Sequence, residues 1–396
     1  MKPVNLADWQ ALEEAVIATF TPHTPVDEEA LFAGRHELLH RLLDVVFQTG
    51  AHAVIHGRRG VGKSSLANIV NHRVLARSDR YRVLKRNCTG EHDFPMIWRH
   101  VFDDVTLDGV EVSKLLEKGC NPYEVFRIID SFPPDRRLVL IIDEFDRIRD
   151  EATKVAMSDT IKYLSDYGSK ATIIVVGVAD DLIDLFRGHA SIARSIDQIE
   201  MPPMRREELL EILQTRSALL DMRFEGGVAE RIAALSQGLP GYTHLIGQAA
   251  ARDSVARRRM VIDAQSLDAG IVTALGRADE SMTQAWLKAT RSTKPGNRYR
   301  EVLLACALAE HDERGWFTIR SVVEPYSMIS GAERDIPHIA PHIGKFLGTE
   351  RGAVLVRDGR PRSYVYRFSE PLMRHYVMLR GVTDGLIGQA QLPQSD

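Results

Sequence analysis

Apolar residues follow two different spacings along this chain. Between residues 32 and 200, short runs of aliphatic residues alternate with stretches of helical spacing. One run, at residues 138–142, contains five consecutive large aliphatic residues, which is typical of a parallel strand that is buried on both faces. The alternation predicts a parallel sheet with crossover helices. Its five strands are expected at residues 53–56, 81–85, 138–142, 171–176 and 196–200.

From residue 205 onward, helical spacing replaces this alternation. The segment Met201-Pro202-Pro203-Met204 ends the sheet, because tandem prolines cannot continue a strand ladder. Two later strand-like runs flank a turn that opens with Asp358-Gly359, a hairpin dipeptide. Three helices before this hairpin and one after it give the element order of a winged helix. Helices are predicted at residues 206–220, 228–235, 241–255, 264–286, 299–310, 319–326, 336–347 and 371–379, and the hairpin strands at 353–357 and 363–368.

A glycine-rich segment follows the first predicted strand. Gly57-Arg58-Arg59-Gly60-Val61-Gly62-Lys63-Ser64 fits the pattern G-x-x-x-x-G-K-S, and helical spacing follows it. The glycines let successive backbone N–H groups point at phosphate oxygens, Lys63 reaches the β- and γ-phosphates, and the Ser64 hydroxyl can bind Mg²⁺. With a strand before and a helix after, the segment predicts a P-loop rather than an ordinary glycine turn. We expect the phosphates to contact Gly57, Arg58, Arg59, Gly60, Val61, Gly62, Lys63, Ser64 and Ser65.

Carboxylates follow the third predicted strand, in Asp143-Glu144-Phe145-Asp146. Ligands of open α/β sheets bind at the carboxyl ends of the strands. We therefore expect Asp143 to hold Mg²⁺ and Glu144 to orient and polarise an attacking water. Taken alone, Asp143 could equally cap the next helix and Glu144 could lie in solvent. Beside the P-loop, they predict binding of a nucleoside triphosphate with Mg²⁺ and, once an arginine is supplied, hydrolysis of ATP to ADP and phosphate.

Length and composition limit the number of domains and the classes of partner and compartment that can be expected. The chain has 396 residues, a formal net charge of −3 and three cysteines. This length allows two or three domains with full cores, and the small net charge argues against a general polyanion binder while leaving local patches open. The cysteines are far apart and lack a C-x-x-C pairing, so free thiols in a reducing cytosol are expected. Without a signal-peptide pattern or a run of about 20 apolar residues, we expect a cytoplasmic protein that does not cross a membrane.

Together with Leu31-Phe32-Ala33-Gly34-Arg35 and Gly238-Leu239-Pro240, the two motifs make the chain resemble the AAA+/STAND branch of P-loop ATPases. Within that branch, it is similar to the origin-recognition and replication-initiator group. The resemblance implies an α/β P-loop NTPase fold with a parallel five-stranded sheet of the AAA+ type, followed by a helical lid and a C-terminal winged-helix domain. The implied division is an N-terminal helix and linker at 1–24, the ATPase domain at 25–204, the lid at 205–290, the winged helix at 297–385 and a flexible tail at 386–396.

The resemblance also implies roles for residues outside the two motifs. Phe32 and Gly34 would flank the adenine, although the same segment also suits a plain helix entry. Asp180 is the nearest polar candidate for the sensor that follows the fourth strand. An arginine before the last strand would act across a subunit interface, stabilising charge on the transferred phosphoryl group. Arg194 is best placed for this and Arg187 second, but an exposed arginine at a helix end is an equal alternative.

The lid departs from the initiator pattern. Initiator-type proteins carry an arginine in a G-x-x-R pattern, whereas this chain has Gly238-Leu239-Pro240-Gly241-Tyr242-Thr243-His244. The G-L-P form resembles STAND switch ATPases, in which the proline packs on the nucleotide, so Pro240 is expected to do so here. His244 is more readily interpreted as a structural histidine than as a phosphate ligand. The pattern favours a slow switch over a fast motor.

Basic residues outnumber acidic ones around the predicted hairpin. Arg357, Arg360 and Arg362 cluster at its turn, where contacts with DNA phosphates would be expected. The preceding helix, 336–347, is short of the basic and amide residues that read bases. Three functions therefore stay open: an ATPase that forms a homo-oligomer on DNA, a STAND-type signalling switch that acts on a protein partner without binding DNA, and a scaffold that binds ATP but barely hydrolyses it. The first is our leading prediction.

Overall fold

The computed structural model describes residues 6–26, 31–77, 80–116, 120–133, 135–178, 194–276, 280–293, 296–312, 314–361, 363–388 and 391–392. The chain divides into two compact units. The sheet unit comprises Thr24–Pro202, and the helical unit comprises Met1–His23 together with Pro203–Asp396. The first helix, α1 (Leu6–Thr19), therefore belongs to the helical unit, whereas the pattern of the sequence set residues 1–24 apart. No helix among the described residues is long and apolar enough to cross a membrane.

Five strands form the parallel sheet of the sheet unit, in the order β2-β3-β4-β1-β5. The predicted five-stranded parallel sheet is confirmed, with strand ends that move by one or two residues. The three central strands, β3, β4 and β1, are buried along almost their whole length, as their aliphatic runs require. The strands are β1 (His52–His56), β2 (Tyr81–Asn87), β3 (Arg137–Asp143), β4 (Thr172–Gly177) and β5 (Ile196–Glu200).

Helices connect β1 to β2, β2 to β3 and β3 to β4. In its described residues, the longer connection between β2 and β3 contains three helices, of which Val112–Leu115 is a single turn, and a small antiparallel pair, Thr106–Leu107 with Val110–Glu111. Its two longer helices start at a side-chain cap, since Asp93 accepts a hydrogen bond from Met96 N–H and Asn121 accepts one from Glu124 N–H. The helices are α2 (His36–Phe47), α3 (Lys63–Arg77), α4 (Phe94–Val101), α5 (Pro122–Asp130) and α6 (Glu151–Asp166).

In the helical unit, the lid and the predicted winged helix share one hydrophobic core with α1. The helix expected at 264–286 corresponds to two helices, α10 and α11. Ile387 and Leu392, in the segment predicted to be a flexible tail, are buried. The helices of this unit are α7 (Arg206–Leu219), α8 (Val228–Ser236), α9 (Pro240–Ala256), α10 (Ala264–Gly276), α11 (Glu280–Thr290), α12 (Tyr299–Leu308), α13 (Val323–Ser330), α14 (Ile336–Phe346) and α15 (Pro371–Thr383).

The last part of the helical unit fits a winged-helix domain. Helices α12, α13 and α14 precede a hairpin of β7 (Leu355–Asp358) and β8 (Val365–Phe368), and α15 follows it. A third strand, β6 (Phe317–Thr318), pairs antiparallel with β8, so the small sheet has the order β6-β8-β7. Strand β6 is only two residues long, which explains why alternation of apolar and polar residues did not reveal it.

Candidate functional site

The loop between β1 and α3 has the backbone of a phosphate-binding turn. Gly57, Gly60 and Gly62 have φ angles of 142°, 87° and 98°, a region that residues with a side chain rarely adopt. At Gly57, a Cβ atom would also lie only 2.4 Å from the carbonyl oxygen of Met201. The loop ends where α3 begins at Lys63, so the unpaired N–H groups of the helix face the loop.

Lys63 holds the loop in this shape. Its Nζ donates hydrogen bonds to the carbonyl oxygens of Gly57 and Arg58, at 2.9 and 2.7 Å. The residue is only 8% exposed, and this burial lowers the pKa of Lys63 to about 8, while the nearby Asp146 and Asp143 carboxylates act in the opposite direction. The ammonium is thus pre-positioned in the P-loop, bonded to carbonyl groups that a phosphate can replace.

Asp143, at the carboxyl end of β3, is 3% exposed. Its Oδ1 accepts a hydrogen bond from Glu144 N–H at 2.9 Å. Its Oδ2 forms a salt bridge with Lys85 Nζ at 3.1 Å, and the same Nζ donates to Asn68 Oδ1 at 2.6 Å. Both oxygens of this carboxylate are therefore engaged by the protein itself.

Glu144 begins the turn that follows β3, and its φ of 57° is unusual for a residue with a side chain. Its Oε2 accepts a hydrogen bond from Arg147 Nη1 at 2.8 Å, and the side chain is partly exposed. Asp146, two residues later, accepts a hydrogen bond from Val178 N–H at 2.8 Å. Asp146 thereby fixes the turn after β3 to the end of β4, a contact that the sequence analysis did not predict.

The segment before α2 is held close to the P-loop helix. Ser65 Oγ accepts a hydrogen bond from Val26 N–H at 3.1 Å. Gly34 and Arg35 both have positive φ, and the buried Arg35 guanidinium donates to the carbonyl oxygen of Pro202. Phe32 is partly buried in this anchored turn. The expected contacts of Phe32 and Gly34 with adenine, and of Ser65 with phosphate, stay predictions.

Arg194 lies away from the P-loop of its own chain. The next residue, Ser195, accepts a hydrogen bond from His52 N–H at 2.9 Å, so Arg194 is at the amino edge of the parallel sheet. The P-loop and Asp143 are at the carboxyl edge, and five residues of β1 separate the two edges by roughly 15 Å. The Arg194 side chain is exposed, and its expected action on a neighbouring subunit stays a prediction. Asp180 and Arg187 lie outside the described residues.

In the helical unit, Pro240 is the first residue of α9 and Gly238 precedes it with a φ of 79°. A Cβ atom at Gly238 would lie 2.4 Å from Pro203 Cβ, so glycine is required for close packing there. His244 is buried, and its Nδ1 accepts a hydrogen bond from Thr21 N–H at 3.2 Å. Burial lowers the pKa of His244 to about 3, which keeps this histidine neutral and structural. Packing of Pro240 on a nucleotide stays a prediction.

The donor groups of the sheet unit fit Mg²⁺. Ser64 in the first turn of α3 offers a hydroxyl, and Asp143 offers a buried carboxylate. Mg²⁺ prefers such oxygen ligands and takes the rest from water and nucleotide phosphates. Ser64 and Asp143 would therefore hold the ion, after Lys85 has released Asp143 Oδ2.

A P-loop at the end of β1 and paired carboxylates at the end of β3, on a five-stranded parallel sheet, define a P-loop NTPase of the AAA+ type. The family model "Novel STAND NTPase 1" (nSTAND1) matches residues 19–328, and the chain belongs to this family. No curated protein matches the chain. The match to the nSTAND1 family model confirms the predicted AAA+/STAND resemblance.

Solved structures share the fold at low identity. The Walker-type ATPase PABY2304 of Pyrococcus abyssi has 15% identity and a TM-score of 0.55, over 91% of this chain and 99% of that one. The ORC2 protein of Aeropyrum pernix, in ADPNP-ADP complexes, has 14% identity and a TM-score of 0.51, over 93% and 97%. The ORC1 protein of the same organism, in complex with DNA, has 14% identity and a TM-score of 0.51, over 96% and 98%. These similarities establish an ORC-like AAA+ fold.

Proposed function

We propose that this protein is an ATP-dependent switch: binding and slow hydrolysis of Mg-ATP change its conformation and its assembly, with DNA as the leading partner. The observation that carries the proposal is that a buried P-loop lysine, Lys63, and a buried carboxylate, Asp143, lie at the same edge of the sheet and interact electrostatically. A buried ammonium and a buried carboxylate are the groups that phosphates and a divalent cation need in a site shielded from water.

Each residue has a defined part in hydrolysis. The backbone N–H groups of the P-loop bind phosphate oxygens, and Lys63 moves from the carbonyls of Gly57 and Arg58 to the β- and γ-phosphates. Ser64 and Asp143 hold Mg²⁺, which neutralises phosphate charge when bound. Glu144 orients the attacking water once its carboxylate has left Arg147.

The resting contacts support a slow switch. Glu144 is bonded to Arg147 and Asp143 to Lys85, so both carboxylates must leave basic partners before the site is competent. Breaking such contacts adds to the activation barrier, and each 1.36 kcal/mol slows a step about tenfold. Turnover should therefore depend on whatever stabilises the rearranged site, including a neighbouring Arg194 or a bound partner.

Exposed arginines at the hairpin support DNA as the partner. Arg357, near the end of β7, and Arg360, in the turn that follows, are exposed, and the Arg357 guanidinium lies 4.2 Å from the centre of the Tyr364 ring. Such stacking holds the guanidinium in place while its N–H groups stay available to phosphates. Arg362, the third arginine of the predicted cluster, lies outside the described residues.

Helix α14 supports the alternative, a signalling switch with a protein partner and no DNA binding. Its buried side carries Ile339, Ile343 and Phe346. Its exposed residues include one lysine, Lys345, and few groups that pair with base edges. The exposed residues of this helix are Ile336, Pro337, His338, Ala340, Pro341, Gly344 and Lys345. Sequence-specific reading of DNA is therefore not part of the proposal.

Steady-state ATP hydrolysis with and without duplex DNA separates the two functions, with Glu144→Gln as the blank. We expect DNA to stimulate hydrolysis, and we expect this stimulation to weaken with salt, because phosphate contacts release counterions. The double variant Arg357→Ala/Arg360→Ala should lose the stimulation, and Arg223→Ala, an exposed arginine outside the hairpin, should keep it. A slow rate of hydrolysis that DNA does not change, together with nucleotide that stays bound through purification, would favour the switch with a protein partner.

A further inference from the structure

The contact between Lys85 and Asp143 is produced by the register of two neighbouring strands. Strands β2 and β3 run parallel, with Lys85 opposite Ile141 and Asn87 opposite Asp143. Side chains alternate between the two faces of a strand, so Lys85, Ile141 and Asp143 all extend from one face of the sheet. The long lysine side chain then spans the offset of two residues and reaches the carboxylate.

The position of Asn68 brings this contact next to the P-loop helix. Asn68 lies four residues after Ser64 in α3, so both side chains are on one face of that helix. Its Oδ1 accepts a hydrogen bond from Lys85 Nζ at 2.6 Å, while the same Nζ pairs with Asp143 Oδ2 at 3.1 Å. The ammonium therefore lies between the two elements that carry the proposed Mg²⁺ ligands.

The two members of the pair differ in how easily they can leave it. The Asp143 side chain is 4% exposed and needs a positive partner, because an unpaired buried carboxylate is costly. The Lys85 side chain is 24% exposed, and a long, flexible lysine can turn its ammonium towards water. Asp143 Oδ1 is already used by Glu144 N–H, so Oδ2 is the oxygen for which two cations compete.

We propose that Lys85 is an exchangeable counterion of Asp143, which neutralises this carboxylate without Mg²⁺ and must be displaced when Mg²⁺ binds with the nucleotide. The inference rests on the proposed nucleotide function. Two cations about 4 Å apart repel each other, so Mg²⁺ and the ammonium cannot both hold Oδ2 favourably. Lys85 thus sets the Mg²⁺ concentration at which the nucleotide-bound state forms, as a positioning residue and not a catalytic one.

The test is a Mg²⁺ titration of the affinity for a fluorescent ADP analogue. In Lys85→Met, the Mg²⁺ midpoint should fall on the order of tenfold, because the competing charge is gone. Affinity in excess EDTA should be no higher than in wild type, because loss of Lys85 leaves the Asp143 carboxylate uncompensated beside the phosphates. Lys85→Arg, which keeps the charge, should retain a midpoint close to wild type, and the exposed Lys162→Met on α6 is the matched control.

Thermal unfolding is a second measurement. It also shows whether the Lys85→Met variant has lost stability. Lys85→Met leaves Asp143 buried without its counterion, so its melting temperature in EDTA should be lower than that of wild type. Adding Mg²⁺ in the presence of saturating ADP should raise the melting temperature of Lys85→Met more than that of wild type or Lys162→Met. Equal Mg²⁺ responses in all three proteins would overturn the proposal.

Two other results are decisive. If Lys85→Met raises the Mg²⁺ midpoint, the lysine assists Mg²⁺ binding, and the counterion proposal is wrong. An unchanged Mg²⁺ midpoint in Lys85→Met has the same consequence. Failure of the wild-type protein to bind the analogue at all would instead refute the proposed nucleotide function.

Discussion

At the residue scale, Lys63 connects the geometry of the P-loop to its proposed chemistry. Its ammonium is bonded to two carbonyl oxygens of its own loop and lies within the field of Asp143 and Asp146. A phosphate offers stronger, charge-assisted contacts than these carbonyls. Lys63 therefore stabilises the loop itself, and in the proposed function it would stabilise the phosphates of a bound nucleotide.

Lys63→Ala should reduce affinity for ATP and ADP by on the order of a hundredfold, the loss expected for a hydrogen-bonded charge in a buried site. Isothermal titration of each nucleotide measures this directly. Lys162→Ala, which removes an exposed lysine of the same unit, should bind normally. Undiminished affinity of Lys63→Ala would contradict the P-loop assignment.

Arg147 restrains Glu144 through the 2.8 Å contact between Nη1 and Oε2. Arg147→Ala should therefore raise the turnover number several-fold while leaving ADP affinity unchanged, because the water-orienting carboxylate no longer has to leave a partner. The double variant Arg147→Ala/Glu144→Gln should be as inactive as Glu144→Gln. Lower turnover in Arg147→Ala would instead indicate that Arg147 itself assists the reaction.

At the element scale, α1 is held by a row of contacts along α9. Gln248 donates to the carbonyl oxygen of Phe20 at 2.6 Å, and Arg252 pairs with Glu13 at 2.6 Å. His244, Gln248 and Arg252 are each spaced by about one helical turn, so their side chains lie on one face of α9. Gly247 leaves the space for the Phe20 ring, because a Cβ atom there would lie 2.8 Å from Phe20 Cε1.

Phe20→Ala should lower the free energy of unfolding of the helical unit by about 3–5 kcal/mol, since the ring is fully buried and its removal leaves a cavity. Ile17→Ala is the matched control, because Ile17 is 47% exposed and should change stability little. Denaturant titrations of both variants test the packing of α1. Similar small losses in the two variants would contradict it.

The buried His52 on β1 predicts a dependence of stability on pH. Its Nδ1 accepts a hydrogen bond from Ile173 N–H at 3.0 Å, and burial lowers the pKa of His52 to about 4. The folded state therefore disfavours the imidazolium, and the full stability present above pH 6.5 is lost as pH falls towards 4. Between pH 7 and pH 5, this one group should cost about 2 kcal/mol.

Comparison of wild type with His52→Gln isolates that contribution. The variant should be less stable at pH 7 but should lose about 2 kcal/mol less than wild type between pH 7 and pH 5. His40→Gln, at an exposed position of α2, should follow the wild-type profile. Parallel pH profiles for wild type and His52→Gln would show that His52 does not titrate in this range.

At the scale of the whole molecule, the position of Arg194 connects catalysis to assembly. It lies at the amino edge of the sheet, roughly 15 Å from the P-loop of its own chain. If Arg194 stabilises charge on the phosphoryl group, as proposed, it must therefore do so in a neighbouring subunit. Hydrolysis by an assembly should consequently be faster than hydrolysis by a monomer.

Mixing experiments test this arrangement. Arg194→Ala subunits should depress hydrolysis by wild-type subunits when the two are mixed at concentrations that allow assembly, because each variant subunit deprives a neighbour of its arginine. Mixing with Lys63→Ala subunits, which retain Arg194, should leave wild-type activity per active site close to normal. Strictly independent activities in the Arg194→Ala mixture would refute action between subunits.

Short-range patterns were sufficient to predict the sheet and its P-loop. A run of consecutive aliphatic residues indicates a buried central strand, and a P-loop requires glycines, a lysine and a serine at set spacings. Both patterns can be recognised within their own segments, without knowledge of distant parts of the chain. The carboxylates after β3 could be placed in the same way, because the carboxyl ends of the strands in an open α/β sheet form its ligand-binding edge. The two-residue β6 and the division of segment 264–286 into α10 and α11 left no comparable local pattern.

The partners of the charged groups depended on the folded chain. Lys85 reaches Asp143 only because β2 and β3 are neighbours in one register, and Phe20 meets Gln248 across 228 residues of sequence. A charge or a helical face is recognisable from its own segment, but its partner is chosen by which distant segments pack together. Local spacing therefore identified the P-loop and the carboxylates beside it, while packing established which groups restrain them.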